Sequence, residues 1–189
     1  MPFDLQPELR GALVALRPLC EADFADLYAV ASDPLIWEQH PASDRYQEEV
    51  FREFFRGAMD SGGAFLVTDA RDGRVIGSSR FYGYDAAGSE IEIGWTFLAR
   101  SHWGGAHNHE MKRLMLAHAF RFVEHVIFVV GERNMRSRRA VEKIGGVLTG
   151  RTRVDEAGRL SVIYRISKTG GSRSSAGYGS ASRQPRAIR

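Results

Sequence analysis

Residues 91–116 read IEIGWTFLARSHWGGAHNHEMKRLML. The run opens as an apolar strand, turns at Gly104 and Gly105, and continues as an amphipathic helix. A strand that feeds a Gly-rich turn and then a helix gathers backbone N–H groups at one point, with the positive end of the helix dipole behind them. Such a point seats an anion, and a pyrophosphate fits it without side-chain charge. The same pattern also serves an ordinary strand–turn–helix corner, and the local sequence leaves both readings open.

The flanking sequence supplies the rest of a layered domain. Upstream, Ala12–Leu16 reads as a first strand, and Glu21–Ala31 places Phe24, Leu27, Tyr28 and Ala31 on one helical face. Asp44 followed by Gln47 resembles a capping box for a helix from Arg45 that buries Tyr46, Val50, Phe51, Phe54 and Phe55. Ala64–Thr68 and Val75–Phe81 read as strands around the Asp72-Gly73 turn, and Glu90–Leu98 follows. Downstream, the β-branched and aromatic run Val126–Val130 predicts a strand buried on both faces. Strand, helix and strand then form a βαβ unit with a parallel pair. A short helix over Asn134–Ile144 and strands at Val147–Val154 and Leu160–Ile166 complete the chain.

The expected fold is therefore α/β of the α+β type. It has a mixed, mostly antiparallel sheet of about seven strands, helices on both faces, and the fourth and fifth strands parallel. Residues 1–167 are read as one domain. Residues 168–189 form a Gly-, Ser- and Arg-rich tail, expected to be disordered because it has too little apolar surface to offset ordering.

Charge narrows the function. The formal net charge is +3, but Lys168, Arg173, Arg183, Arg186 and Arg189 all lie in the tail. Taking those five from +3 leaves the body at −2, which is not the signature of a nucleic-acid binder. Only the tail has the charge to touch RNA or an acidic membrane. No apolar run approaches the ~20 residues of a membrane span. Residues 1–13 lack the basic segment and apolar core of a signal peptide, and Cys20 is the single cysteine. The expectation is a cytoplasmic protein, monomeric or homodimeric.

Residue types in the order found here resemble a known family. The strand with Glu90-x-Glu92-Ile-Gly-Trp, the Trp103-Gly104-Gly105 turn, the buried strand, Asn134-x-x-Ser137 and the closing Glu-Lys-Ile-Gly-Gly are similar to the GNAT superfamily of acyl-CoA-dependent N-acetyltransferases. The turn with Glu110, and Asn134 with Ser137, are most similar to the RimJ/RimL-type branch, which acetylates protein N-terminal amines. The resemblance implies a splayed parallel pair and acetyl-CoA as co-substrate; the histidine spacing leads to an expectation of no metal. Two residues depart from the family pattern: Ala106 stands where Gly is usual, and Asn108 where Gly or Ala is usual.

The resemblance assigns roles by position. Backbone amides of Trp103, Gly104, Gly105, Ala106, His107 and Asn108 would hold the pyrophosphate. The backbone of Phe97, Leu98 and Ala99 would pair with the amide-bearing arm, joined by the Asn134 side chain. Many relatives place an acidic Tyr seven residues after the Asn; that position is Val141, and Ser137 is the substitute proton donor.

For the base, Glu92 is the first candidate and Glu90 the second. They are two apart on a strand, so both project from one face while Ile91 and Ile93 pack on the other. An exposed carboxylate pair and a plain helix cap at Asn134 are the competing structural readings. The acceptor is expected to be an amine-bearing peptide or a small molecule, and a non-catalytic acyl-CoA-binding module is the alternative of another class. His107-x-His109 has the look of metal ligands but lacks an evident third partner. His118 is expected in the core, and Cys20 is expected to be buried.

Overall fold

The computed structural model describes residues 2–168 of the 189-residue chain. The expectation of a disordered tail falls, from residue 169 on, outside the described residues. The described residues form eight strands and four α-helices. The strands are β1 (Leu9–Arg10), β2 (Val14–Pro18), β3 (Ala64–Asp69), β4 (Val75–Asp85), β5 (Glu90–Leu98), β6 (His125–Gly131), β7 (Val147–Val154) and β8 (Leu160–Ser167). The helices are α1 (Phe24–Ala31), α2 (Glu48–Asp60), α3 (Ala106–Ala119) and α4 (Met135–Lys143). The sheet order is β1-β2-β3-β4-β5-β6-β8-β7, antiparallel throughout except for β5 against β6.

The mixed sheet matches the sequence reading, with β1 as an added strand. Two residues are too few to show a period, and β1 is held by pairing Leu9 with Leu16 and Arg10 with Ala15. Strand alternation places a core on each face of the sheet. Along β3, Phe65 and Val67 join Met111 and Met115 of α3, while Ala64 and Leu66 join Leu27 of α1 and Phe51 and Phe55 of α2. Glu110 ties α3 to the β1–β2 turn. Its carboxylate accepts the amides of Ala12 (3.1 Å), Leu13 (2.7 Å) and Val14 (3.0 Å).

Two local expectations change. The helix expected from Arg45 begins at Glu48, with Gln47 as its N-cap, and Asp44 forms a backbone turn instead of a capping box. Residues 41–47 become part of a long loop because the Arg45 guanidinium is drawn onto Trp37 and Phe54, at 5.6 and 4.6 Å from their ring centroids. Cys20 is exposed rather than buried, at the start of a short 3-10 turn over Glu21–Asp23. His118 is in the core as expected, paired with the Asp4 carbonyl at 2.7 Å.

Between β5 and β6 the pairing is short. Glu90 pairs with His125, Ile91 with Val126 and Glu92 with Ile127, and there it stops. Beyond this point β5 stays with β4 as far as Leu98, and β6 stays with β8 as far as Gly131. A gap opens because each strand follows its outer neighbour. β5 also carries a bulge: Gly94 faces Arg80 and Phe97 faces Ser78, leaving Trp95 in the left-handed region at φ +49°.

Candidate active site

The gap is the floor of a cleft of about 440 Å³. Its walls come from β5 and β6, the start of α3, the inner face of α4, the loop at 36–45 and the β7–β8 turn. The outermost parts of this wall meet: Arg159 in the β7–β8 turn donates to the Pro41 carbonyl at 3.1 Å.

At one end lies the N-terminus of α3. Gly104 takes φ +66°, where a side chain would be strained, and Gly105 caps the helix with no side-chain hydrogen bond. Among the described residues, the amides of Gly104, Gly105, Ala106, His107 and Asn108 have no protein acceptor. Trp103 differs from the expectation, since its amide donates to the Arg100 carbonyl at 3.1 Å. Its indole instead donates to the Leu98 carbonyl at 2.8 Å, and Arg136 lies over the ring at 4.0 Å. The result is a cluster of free donors at a positive helix end, with a guanidinium beside it.

The strand edge contributes less than three residues' worth of backbone. The Ala99 amide donates to the Ile76 carbonyl at 2.7 Å, and Phe97 pairs with Ser78 of β4. By strand alternation, Leu98 is the residue whose amide faces the gap. Asn134 is buried, and its side-chain oxygen caps α4 by accepting the Ser137 amide at 3.1 Å. The capping reading is thus realised, yet Asn134 also lines the cleft. Its side-chain nitrogen has no partner among the described residues. Ser137 lines the cleft with its hydroxyl unengaged, and Val141, one turn on, is buried. Tyr164 does not replace the missing tyrosine: its hydroxyl accepts from Arg138 at 2.9 Å and donates to Glu142 at 2.7 Å.

Glu92 sits where the strands part. It is 5% exposed, lines the cleft, and forms an ion pair with Arg153 at 2.8 Å. Burial pushes its carboxyl above the ordinary range, and Arg153 and then Arg80 oppose that rise. A carboxylate held in this state accepts a proton more readily than an exposed one. Glu90 pairs with Arg151 at 3.2 Å and does not line the cleft.

Several cleft residues escaped the sequence reading. Lys112 of α3 is buried, with its amine on the Ser79 hydroxyl at 3.2 Å, on the Thr96 hydroxyl, and 5.7 Å from the Phe128 ring. Burial alone pulls this amine down to about 7. A lysine on an amphipathic helix reads as solvent-facing, so only packing reveals it. Arg45, which lines the cleft, and Arg80, which shares the Phe54 ring with it, were likewise invisible. His102 and His107 converge with Asp69, their ligand-type atoms within 4.8 Å of one another. Asp69 also pairs with Arg71 at 2.7 Å.

Comparison with known proteins agrees with this geometry. Residues 14–147 match the family model described as the acetyltransferase (GNAT) domain. No curated protein matches the chain. Among solved structures, a chain assigned as an acetyltransferase from T. thermophilus is 28% identical, with TM-score 0.68, over 88% of this chain and 90% of that one. Mycobacterium smegmatis RimJ, in complex with CoA-disulfide, superposes with TM-score 0.65 at 20% identity over 86% of both chains. Spermidine N-acetyltransferase from Vibrio cholerae, in complex with CoA and spermine, gives TM-score 0.61 at 16% identity over 83% of this chain and 96% of that one. The chain belongs to the GNAT acetyltransferase family and is an acyl-transferring enzyme.

Proposed function

We propose that the protein is an N-acetyltransferase that moves acetyl from acetyl-CoA directly to a primary amine. The observation that carries this reading is the pairing of five free amides at the head of α3 with a buried carboxylate at the foot of the same cleft. Acetyl-CoA, when bound, supplies an activated acyl carbonyl and a thiolate leaving group.

The chain's own residues do the rest. The amides of Gly104 to Asn108 bind the diphosphate, and the Leu98 amide and the Asn134 side chain orient the arm. Glu92 accepts the proton of the incoming amine, directly or through a water. An α-amine titrates near ~7.7–8 and a lysine near ~10.4, so an α-amine needs less help from the base. Ser137 holds a proton on the α4 side of the gap, where a departing thiolate needs one. Val141 has none to give.

The Trp103-Gly104-Gly105 turn with Glu110, and Asn134 with Ser137, support the RimJ/RimL-type branch and a protein N-terminal amine. The Arg159–Pro41 hydrogen bond favours a second reading, a small-molecule amine, because it closes one side of the mouth. The test is release of CoA from acetyl-CoA in the presence of mixed peptides and amines, with products identified by mass. Binding of acetyl-CoA with no product from any acceptor would leave only a binding module.

A further inference from the structure

Two arginines without a contact ion pair among the described residues stand on the Glu92 side: Arg45 lines the cleft, and Arg80 shares its aromatic wall. Ile91 and Ile93 pack into the core under α3, so Glu92 and Gly94 face the α1–α2 side. On that side Arg45 and Arg80 share one aromatic wall. The Arg45 guanidinium lies 5.6 Å from the Trp37 centroid and 4.6 Å from that of Phe54. Arg80 lies 5.8 Å from Phe54 and 4.6 Å from Trp95.

Among the described residues neither arginine has a carboxylate within ion-pair distance. Among the described residues, the hydrogen-bond contact of Arg45 is the His40 ring, at 3.3 Å. Arg80 is 5% exposed and donates to the Gly57 carbonyl at 3.0 Å, but its buried Nε has no partner at all. Arg159, which also lines the cleft, acts on Arg45 across the mouth.

Neither charge is offset at contact distance: Asp44 favours the Arg45 charge, and Tyr82 and Glu92 favour that of Arg80, but burial outweighs them. Burial, then repulsion from Arg159 and Arg80, brings Arg45 down to about 10. Burial brings Arg80 to about 10 as well. Burial, then Arg45, brings His40 down to about 3, so its ring adds no charge of its own. Half-buried or buried guanidinium groups without acidic partners are costly unless a ligand supplies the anion. The diphosphate does not fill that role, because its seat is at the head of α3, where Arg136 is the neighbouring cation.

We infer that the acceptor is a small amine that also carries a carboxylate, docked on Arg45 with Arg80 behind it, so that its amine reaches Glu92. The inference rests on the transferase reading and narrows it. Arg45 and Arg159 face a cleft whose mouth is tied across by Arg159 and Pro41, which suits a compact acceptor. The same arginines repel a polyamine.

Matched probes test this without turnover. N-acetylglycine and its neutral amide, N-acetylglycinamide, are titrated calorimetrically into the full-length protein, free and saturated with CoA. The carboxylate is expected to bind at least about tenfold more tightly than the amide, and Arg45→Gln is expected to bring the two within about twofold. Equal binding of the pair to the unmodified protein, or no binding of either, overturns the inference. Because that comparison uses the unmodified protein, it stands even if Arg45→Gln does not fold. Turnover gives a second reading: glycine against glycinamide, with spermidine as the cationic control. A KM advantage for glycine that is lost in Arg45→Gln supports the inference, and a preference for spermidine overturns it. Failure of CoA itself to bind counts against the transferase reading and is scored separately.

Discussion

The Arg153 guanidinium lies 2.8 Å from the Glu92 carboxylate, at the last residue pair before β5 and β6 part. β7 lies beyond β6 and β8 from β5 in the sheet order, so the sheet edge sets the state of a group in the cleft. Burial raises the Glu92 carboxyl and Arg153 restrains the rise. Only the ionised carboxylate can accept a proton, so activity is expected to rise with pH through the Glu92 transition. Arg153→Gln removes the restraint, and the acid limb of kcat/KM should move to higher pH. A limb that stays in place would show that another group sets it.

Glu92→Gln keeps the shape and removes the basicity. Turnover is expected to fall by about 100-fold with acetyl-CoA affinity nearly unchanged. Glu90→Gln should leave turnover within a few-fold, because Glu90 lies outside the cleft. Single-turnover rates and cofactor titration on both variants separate the two carboxylates. Equal losses would remove Glu92 from its role.

Lys112 gives a prediction about stability. Its amine falls from an ordinary 10.5 to about 7 in the folded protein. Between those values the unfolded chain holds a proton that the folded chain lacks, so this residue's contribution to stability improves as pH rises through the window. Below about 7 both states are protonated and the contribution is flat. Lys112→Met should therefore be more stable than the parent at pH 7, with the advantage shrinking by about 1.4 kcal/mol per pH unit toward pH 9. Urea unfolding at pH 7, 8 and 9 measures this, and parallel curves for the two proteins would contradict it.

Glu110 reads in sequence as part of the turn's family resemblance, and its structural task is to hold a distant segment. It receives three amides of the β1–β2 turn, at 3.1, 2.7 and 3.0 Å. Glu110→Ala should cost roughly 1–3 kcal/mol by leaving those donors without a partner. The loss should appear in thermal unfolding, with the affinity for CoA retained once the protein is folded. Gly11 is bound to the same contact, since a Cβ there would lie 2.4 Å from the Glu110 carboxyl.

The order of elements was legible because its signals are local. Alternation marked β3, β4 and β5, the Asp72-Gly73 turn marked a hairpin, and β-branched residues marked β6. The strand–turn–helix at Gly104-Gly105 was legible as a local pattern, whereas Asn134 and Ser137 were singled out by the family resemblance and Glu92 by its place on the strand; all three line the cleft. What stayed hidden depends on contacts between distant segments. Arg45 and Arg80 come together only when residues 41–47 fold over Phe54, and Lys112 is buried only when α3 packs on Ser79 and Thr96. The two-residue β1 and the exposure of Cys20 are likewise set by partners remote in sequence.

The proposed transfer depends above all on free backbone amides at the head of α3 gripping the diphosphate of CoA. Amide hydrogen exchange of the full-length protein, with and without CoA, measures that grip directly. Slowed exchange is expected at Gly104 to Asn108 on CoA addition, with the Trp103 amide little changed because Arg100 already holds it. CoA binding that leaves exchange at 104–108 untouched would contradict it.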